Sequence, residues 1–318
     1  MTTERKKSGI EKFISVYFSN LGKFIFVNLI FALPLAVAAV LSYLLCKFLL
    51  PYPTVVFPLT VLFAAPFYPG VLVVTKKLCY GETELNIFSE FITAVKSNFK
   101  AFILHGIVAY VVFVGCYHGI VIYKSLSAVS PIFYVMFFVS ILLAVFVLFF
   151  LYGLPMMSTF FDLKLKDVYK NSALMTFGEL KANFMATVGI IVYALVLSLP
   201  VFIFGLLTYV WGAAVSVYVI IAYICLAVLL ILPSGISLII ISSVYPDMKR
   251  VISGEAQKTI EAIRKEEEVK AAEDSKVSDF SDIDVSSLEK SSGEYVFYNG
   301  RMIKKSAVLD KLKESEDK

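Results

Sequence analysis

Two histidines, His105 and His118, are the side chains in the long apolar stretches of this chain best suited to acid–base chemistry. Ionisable groups within a bilayer are costly and usually mark function. On a helix, thirteen residues place the two rings about 220° apart around the axis and about 20 Å apart along it, so they cannot bind one metal ion together. Each histidine is therefore either a hydrogen-bonding contact between helices or an isolated functional group, and Asn28 is expected to have the same packing role.

Prolines near the ends of three apolar stretches, Pro66, Pro155 and Pro233, are the next candidates. Proline removes a backbone N–H and breaks or kinks a helix. Such breaks line substrate sites in some transporters, whereas elsewhere they only help hairpins to pack. Since no acid or base accompanies these prolines, packing is favoured. Gly115 and Gly119 form a small-xxx-small pair that would let another helix approach closely.

Residue patterns typical of enzymes and cofactor sites are not found in the sequence. It has no phosphate loop, no plausible Ser-His-Asp arrangement and no His/Glu cluster with zinc spacing. The four cysteines, at positions 46, 79, 116 and 225, have neither metal nor redox spacing. We therefore expect a protein that is not an enzyme and that has no cofactor or metal site.

The composition is that of a membrane protein, with 59% apolar and only 17% charged residues. A stretch of about 20 apolar residues gives enough helix to cross a bilayer. Six stretches qualify, and none has the polar face of a soluble helix: 24–46, 54–75, 101–123, 131–154, 184–206 and 213–241. The first is too long for a signal peptide, and we expect it to be retained as an anchor.

Lys and Arg alternate between the segments that connect these stretches. Lys47 and Lys124 are the basic residues of two sparse loops, and the fifth loop has none. The N-terminal segment and the second and fourth loops hold the others: Arg5, Lys6, Lys7, Lys12, Lys23, Lys76, Lys77, Lys96, Lys100, Lys164, Lys166, Lys170 and Lys181. Because basic residues near span ends stay cytoplasmic, both termini are predicted to lie inside. This placement indicates contact with a membrane surface and not with nucleic acid.

Short amphipathic segments precede the first, third and fifth stretches, and residues 1–23 form the first of them. They end in similar tripeptides: Ser19-Asn20-Leu21, Ser97-Asn98-Phe99 and Ala182-Asn183-Phe184. We interpret them as interfacial helices. Together with the three prolines they suggest three tandem units, each with an interfacial helix, a span, a short turn and a returning span. Chance resemblance among apolar helices is the alternative.

Residues 24–245 are predicted to form the membrane domain. The region that follows them is charged. Residues 246–272 are predicted to form a charged cytosolic helix, residues 273–293 a flexible linker, and residues 294–318 a β-hairpin followed by a short helix from Ser306. Asn299-Gly300 suits a type I′ turn. Tyr295 and Phe297 lie on one strand face and are the candidate docking residues. This hairpin either docks on a partner or only closes the chain end.

Several short motifs give the chain a family resemblance. They are Ala32-Leu33-Pro34, Ala64-Ala65-Pro66 and, most specifically, Phe91-x4-Lys96-x-Asn98-Phe99-Lys100, followed by residues 171–184 and Pro200. With these motifs the stretch 24–205 resembles the YesL family of bacterial multipass membrane proteins. That family has no established activity, and its members often look like accessories of carbohydrate uptake systems. The resemblance implies a bacterial cell membrane and a sugar-related context, but no mechanism.

The sequence thus predicts an all-α polytopic membrane protein of six transmembrane helices in three helical hairpins, with interfacial helices and a cytosolic tail. We expect a non-catalytic accessory or regulatory component, with the lipid bilayer and a transporter or envelope assembly as its partners. The alternative is a small-solute channel or carrier that uses the proline-broken even-numbered spans. An intramembrane enzyme is a third hypothesis that lacks the polar residues it needs.

Overall fold

The computed structural model describes residues 9–82, 84–277, 295–298, 301–304, 306 and 309, and it is dominated by long helices. The helices are α1 Gly9–Ser19, α2 Leu21–Phe48, α3 Pro53–Val56, α4 Leu59–Ala64, a 3-10 turn Ala65–Phe67, α5 Tyr68–Cys79, α6 Ile87–Leu126, α7 Ile132–Phe160, α8 Leu165–Gly178, α9 Leu180–Leu206, α10 Thr208–Trp211, α11 Ala213–Leu230 and α12 Leu232–Val277. Two strands, β1 Tyr295–Tyr298 and β2 Arg301–Lys304, follow them.

Several of these helices are long and apolar enough to cross a membrane. Among the described residues there are five such segments, or six if the bent pair Ser216–Leu230 and Leu232–Gly254 counts as one span. In the most apolar stretch of α9 no residue is buried in the protein. In that of α7 only 6% of the residues are buried. A soluble protein would cover such surface, so the exposed apolar helices are consistent with a membrane-embedded protein.

The amphipathic segments do not all form separate helices. α1 ends at Ser19 before α2, and α8 ends at Gly178 before α9, so these two segments form helices of their own. The segment before the third stretch instead continues into it as the 40-residue helix α6. Its start is fixed by Asn86, whose side chain accepts a hydrogen bond from the backbone N–H of Ser89 at 3.1 Å. The prediction of a separate helix there is wrong, because nothing within residues 87–101 breaks the helix.

Consecutive long helices pack against each other: α2 against α4 and α5, α6 against α7, and α9 against α11, while α11 also contacts α2. The buried side chains concentrate at the lysine-rich ends of these helices. Those of α6 end at Gly106, those of α7 begin at Phe149 and those of α9 end at Ala186. The core therefore lies toward that end, and the opposite helix halves are mainly exposed apolar surface.

The chain divides into two compact units, Met1–Lys249 and Arg250–Lys318. In the second unit, β1 and β2 pair antiparallel with Tyr295 opposite Lys304 and Phe297 opposite Met302. The predicted turn residues Asn299 and Gly300 lie outside the described residues. Residues 246–272 belong to α12, which continues to Val277. The first residues of the predicted linker are thus helical, and residues 278–293, like Ser8 and the stretch 310–318, are not described.

Candidate functional site: a polar cluster at a helix break

Polar side chains inside the apolar part of the protein converge where the last candidate span is broken. α11 ends at Leu230 and α12 begins at Leu232, with a bend of 47° between them. Pro233 stands in the first turn of α12 and has no N–H to donate to the carbonyl of Leu229. Backbone groups released at a break in an apolar environment need other partners, or they cost free energy.

Asn28 of α2 supplies these partners from a distant part of the chain. Its Nδ2 donates to the Leu230 carbonyl at 2.7 Å and to Ser234 Oγ at 2.8 Å. Its Oδ1 accepts from the backbone N–H of Ser234 at 3.0 Å. Asn28 and Ser234 are completely buried. The amide thus takes the place of the helical hydrogen bond between Leu230 and Ser234, and both its N–H groups and its oxygen are used.

Tyr193 of α9 bonds the next carbonyl, that of Ile231, which also accepts a hydrogen bond from the backbone N–H of Gly235 at 3.3 Å. Its hydroxyl donates to the Ile231 carbonyl at 3.1 Å, and the hydroxyl of Tyr17 in α1 lies 3.4 Å away. Because the Tyr193 O–H already donates to the Ile231 carbonyl, the Tyr17 hydroxyl is the donor in the second contact. Burial raises the pKa of Tyr17 above the ordinary tyrosine value, against the smaller opposing effect of its bond to Tyr193, so Tyr17 keeps this proton.

The residue after Ser234 must be small for this arrangement to form. A Cβ atom on Gly235 would overlap the ring and hydroxyl of Tyr193. One turn further along α12, Ser237 Oγ donates to the Pro233 carbonyl at 2.8 Å, and the hydroxyl of Tyr68 in α5 lies 2.9 Å from Ser237 Oγ. We call Asn28, Tyr68, Tyr193, Ser234 and Ser237 the break cluster.

The break cluster consists of one amide and four hydroxyls, all neutral. Such groups donate and accept hydrogen bonds, but none is a general base near neutral pH or a strong metal ligand. Within the described ranges, no group of three or more His, Cys, Asp or Glu side chains is arranged to hold a metal ion. The hydrogen bonds of the break cluster connect α2, α5 and α9 to the broken span formed by α11 and α12.

The other two candidate prolines have different surroundings. Pro66 is buried in the 3-10 turn between α4 and α5, and α6 crosses it closely, since a Cβ on Gly106 would lie 2.9 Å from Ala65 Cβ. Pro155 stands inside α7, which continues without a break to Phe160. The structure therefore interrupts the helix at two of the three prolines and not at the third.

The two histidines have separate environments along α6. His105 is buried, and its Nδ1 lies 3.0 Å from the Tyr169 hydroxyl of α8. Its Nε2 is buried and has no hydrogen-bond partner among the described residues. His118 Nδ1 lies 2.9 Å from the Val114 carbonyl and its Nε2 3.3 Å from Thr54 Oγ1. The structure does not bring the two rings together: His105 contacts α8 and His118 contacts α3.

The remaining motif residues have local packing contacts. Asn98 donates to the Ala94 carbonyl of its own helix at 3.0 Å, and the ring of Phe99 lies 6.3 Å from that of Phe67. Asn183 is buried and donates to the Met175 carbonyl of α8 at 3.2 Å. Asn183 therefore joins α8 to α9. Asn98, in the similar motif of the continuous helix α6, bonds only within its own helix.

The glycine pair contributes less close packing than its spacing predicts. A Cβ on Gly119 would lie 3.7 Å from Ser140 Oγ in α7. One on Gly115 would meet no described atom within 4 Å. Of the tail residues, Tyr295 is partly exposed, and the structure does not describe the side chain of Phe297. The docking role of both stays a prediction.

One comparison with known proteins gives a match. A family model described as "Protein of unknown function, DUF624" matches residues 39–120. These residues run from the second half of α2 through most of α6, so they include Pro66, Asn98 and both histidines. Asn28, Tyr193 and the break lie outside them. No curated protein and no solved structure is significantly similar to the chain.

Sequence reasoning selected Asn28 and Pro233 but missed Tyr68, Tyr193, Ser234 and Ser237. A signal for the break was present in the tripeptide Pro233-Ser234-Gly235, because a hydroxyl and a glycine directly after a proline in an apolar run suggest a site of close approach. The tyrosines gave no such signal, since tyrosine is equally common as an interfacial residue.

Proposed function

We propose that this chain is a YesL-like, six-span protein of the bacterial cell membrane, with both termini cytoplasmic, and that it is a non-catalytic accessory or regulatory component of a transport system. The sugar-related context comes from the family resemblance. The lysine-rich ends of the helices then face the cytoplasm, as basic residues at span ends do.

The observation that carries this proposal is that the break cluster is bonded within the protein. In a transporter with broken helices, the released carbonyls are directed at the solute or ion. Here the Leu230 carbonyl receives Asn28 and the Ile231 carbonyl receives Tyr193. These bonds support a fixed framework in preference to a solute site.

The second candidate function, a small-solute channel or carrier, is favoured by the bend itself. A bend of 47° within an apolar helix is the feature on which alternating access depends in several transporter folds. A carrier would have to open the break cluster during its cycle, and its rate would then depend on the bonds of Asn28 and Tyr193.

Purification from native membranes in mild detergent, followed by quantitative mass spectrometry, tests the first function. We expect a membrane transporter or envelope component in a fixed ratio to the chain. Reconstitution of the chain alone in liposomes tests the second. Solute flux that changes in Tyr193→Phe but not in the matched Asn98→Ala variant, with no co-purifying partner, would show a carrier and contradict the proposal.

The orientation can be tested with single cysteines in a variant without Cys46, Cys79, Cys116 and Cys225. Ala128 and Lys166 are exposed residues at opposite helix ends, whereas Ser172 in the same region as Lys166 is buried and unsuitable. A membrane-impermeant thiol reagent should label Ala128→Cys in intact cells, and Lys166→Cys only after permeabilisation. Labelling of Lys166→Cys in intact cells would reverse the orientation.

A further inference from the structure

A second polar region lies at the lysine-rich end of the helices, away from the break cluster. There α5, α7 and α12 line an open cavity of about 380 Å³. We call it the lysine pocket and define it by Lys76, Lys77, Tyr80, Phe160, Tyr245 and Lys249. Its volume is in the range of about 300–1,000 Å³ that is usual for small-molecule sites.

The ammonium groups of the lysine pocket differ in their partners. Lys77 Nζ lies 2.7 Å from Glu90 Oε1 and 3.7 Å from Glu82 Oε2, so its charge is balanced. Lys76 and Lys249 have no carboxylate within ion-pair distance in the part of the chain that the structure describes. Both line the pocket together with Lys77, whose partner Glu82 is an acidic residue of the same lining, so the lining keeps a net positive charge.

Aromatic rings hold Lys76 in place. Its Nζ lies 4.3 Å from the centre of the Phe160 ring and 4.6 Å from that of Tyr245. Lys12 of α1 has a similar position, 4.8 Å from the centre of the Tyr80 ring. Tyr80 and Tyr245 are in edge contact, with their ring centres 5.7 Å apart. Cation–π contacts fix the direction of an ammonium group but leave its positive charge free to attract an anion.

We infer that the lysine pocket binds a phosphate-bearing group. A phosphate oxygen would accept hydrogen bonds from Lys76 and Lys249, and the Tyr80 hydroxyl, which burial keeps protonated by raising its pKa to about 12, is a neutral donor at the rim. Basic pockets between membrane helices take anionic lipid headgroups in this way. The same groups would also bind a soluble phosphate ion, so a lipid headgroup and a free phosphate are the two sources that the test must separate.

The test uses the purified full-length chain in phosphatidylcholine nanodiscs, with thermal unfolding as the readout. One arm adds phosphatidylglycerol to the nanodisc, and another adds inorganic phosphate to the buffer against chloride at equal ionic strength. Binding to the folded state alone should raise Tm by roughly 5 °C in one arm. Lys76→Gln should lose that rise. If Lys76→Gln does not fold, Lys249→Gln replaces it in the test and should reduce the rise.

Lys47→Gln is the matched control. The Lys47 Nζ also lies over two rings, 5.3 Å from the centre of the Phe48 ring and 5.9 Å from that of Tyr43. Lys47 is at the C-terminal end of α2 and does not line the lysine pocket. A rise with phosphatidylglycerol that Lys47→Gln keeps and Lys76→Gln loses shows a lipid headgroup site. The same pattern with inorganic phosphate shows a soluble ligand. A rise that is equal in all variants, or no rise in either arm, would overturn the inference.

Discussion

Pro155 and Pro233 occupy similar positions in two apolar helices, yet only one of these helices is broken. α7 runs through Pro155 to Phe160, whereas α11 and α12 meet at a 47° bend beside Pro233. Around Pro155 the neighbours Leu154, Met156 and Met157 are completely buried in apolar contacts. Around Pro233 three other helices offer hydrogen bonds. The difference teaches that proline permits a break and that outside hydrogen-bond partners stabilise it.

The largest effect should come from Asn28. In Asn28→Leu, the Leu230 carbonyl and the Ser234 N–H lose their side-chain partner in a buried site, where each unsatisfied group costs about 1–3 kcal/mol. Partial straightening of the helix would recover some of this loss. We expect the free energy of unfolding to fall by about 2–3 kcal/mol, measured by dodecyl sulfate titration in mild detergent.

Asn98→Ala is the control for this prediction. Asn98 donates only within its own helix, to the Ala94 carbonyl and to Ser97 Oγ, and that carbonyl keeps its place in the helical ladder. Its loss should lower the free energy of unfolding by less than about 0.5 kcal/mol. Equal effects of the two substitutions would show that Asn28 has no special role at the break.

Gly235→Ala should have the second-largest effect. The new methyl group would overlap the Tyr193 ring, and overpacking of this kind costs about 1–3 kcal/mol. Tyr193→Ala in the same chain should relieve part of that cost, which a double-mutant cycle measures. Gly115→Ala, at a glycine with free space around it, should instead be neutral or stabilise the helix slightly. Additive losses for Gly235 and Tyr193 would contradict the proposed contact.

Tyr193→Phe removes the hydroxyl that donates to the Ile231 carbonyl and keeps the ring. We expect a loss of about 1 kcal/mol in the free energy of unfolding, since a single hydrogen bond between protein groups is worth about that much. Tyr134 has an exposed ring, so Tyr134→Phe should cause no measurable change. If both variants were equally stable, the Tyr193 hydroxyl would have no part in holding the break.

Local sequence patterns predicted the long helices well, because apolar length and flanking lysines are properties of short stretches. They failed where a contact joins distant residues. Asn28 and Ser234 are 206 positions apart, and no short motif records that pairing. The interfacial segment before the third span was misjudged for a related reason, since its similarity to the other two hid the absence of a residue that ends the helix.

The histidines illustrate the same limit at the candidate sites. Spacing along one helix correctly separated His105 from His118, since that follows from helix geometry alone. The partners, Tyr169 for His105 and Thr54 for His118, depend on tertiary packing. The lysine pocket was also beyond reach, because Lys76 and Tyr245 lie far apart in the sequence and meet only in the fold.

The smallest effects belong to the prolines themselves. Pro155→Ala and Pro233→Ala should each change the free energy of unfolding by less than about 1 kcal/mol, because the native helices already accommodate both rings. Their coupling to Asn28 separates the two sites. In Asn28→Leu with Pro233→Ala, a continuous helix can restore the bond between Leu230 and Ser234, so this pair should recover about 1 kcal/mol of the loss. Asn28→Leu with Pro155→Ala should recover none. Recovery by both prolines, or by neither, would mean that the break does not depend on its outside partners.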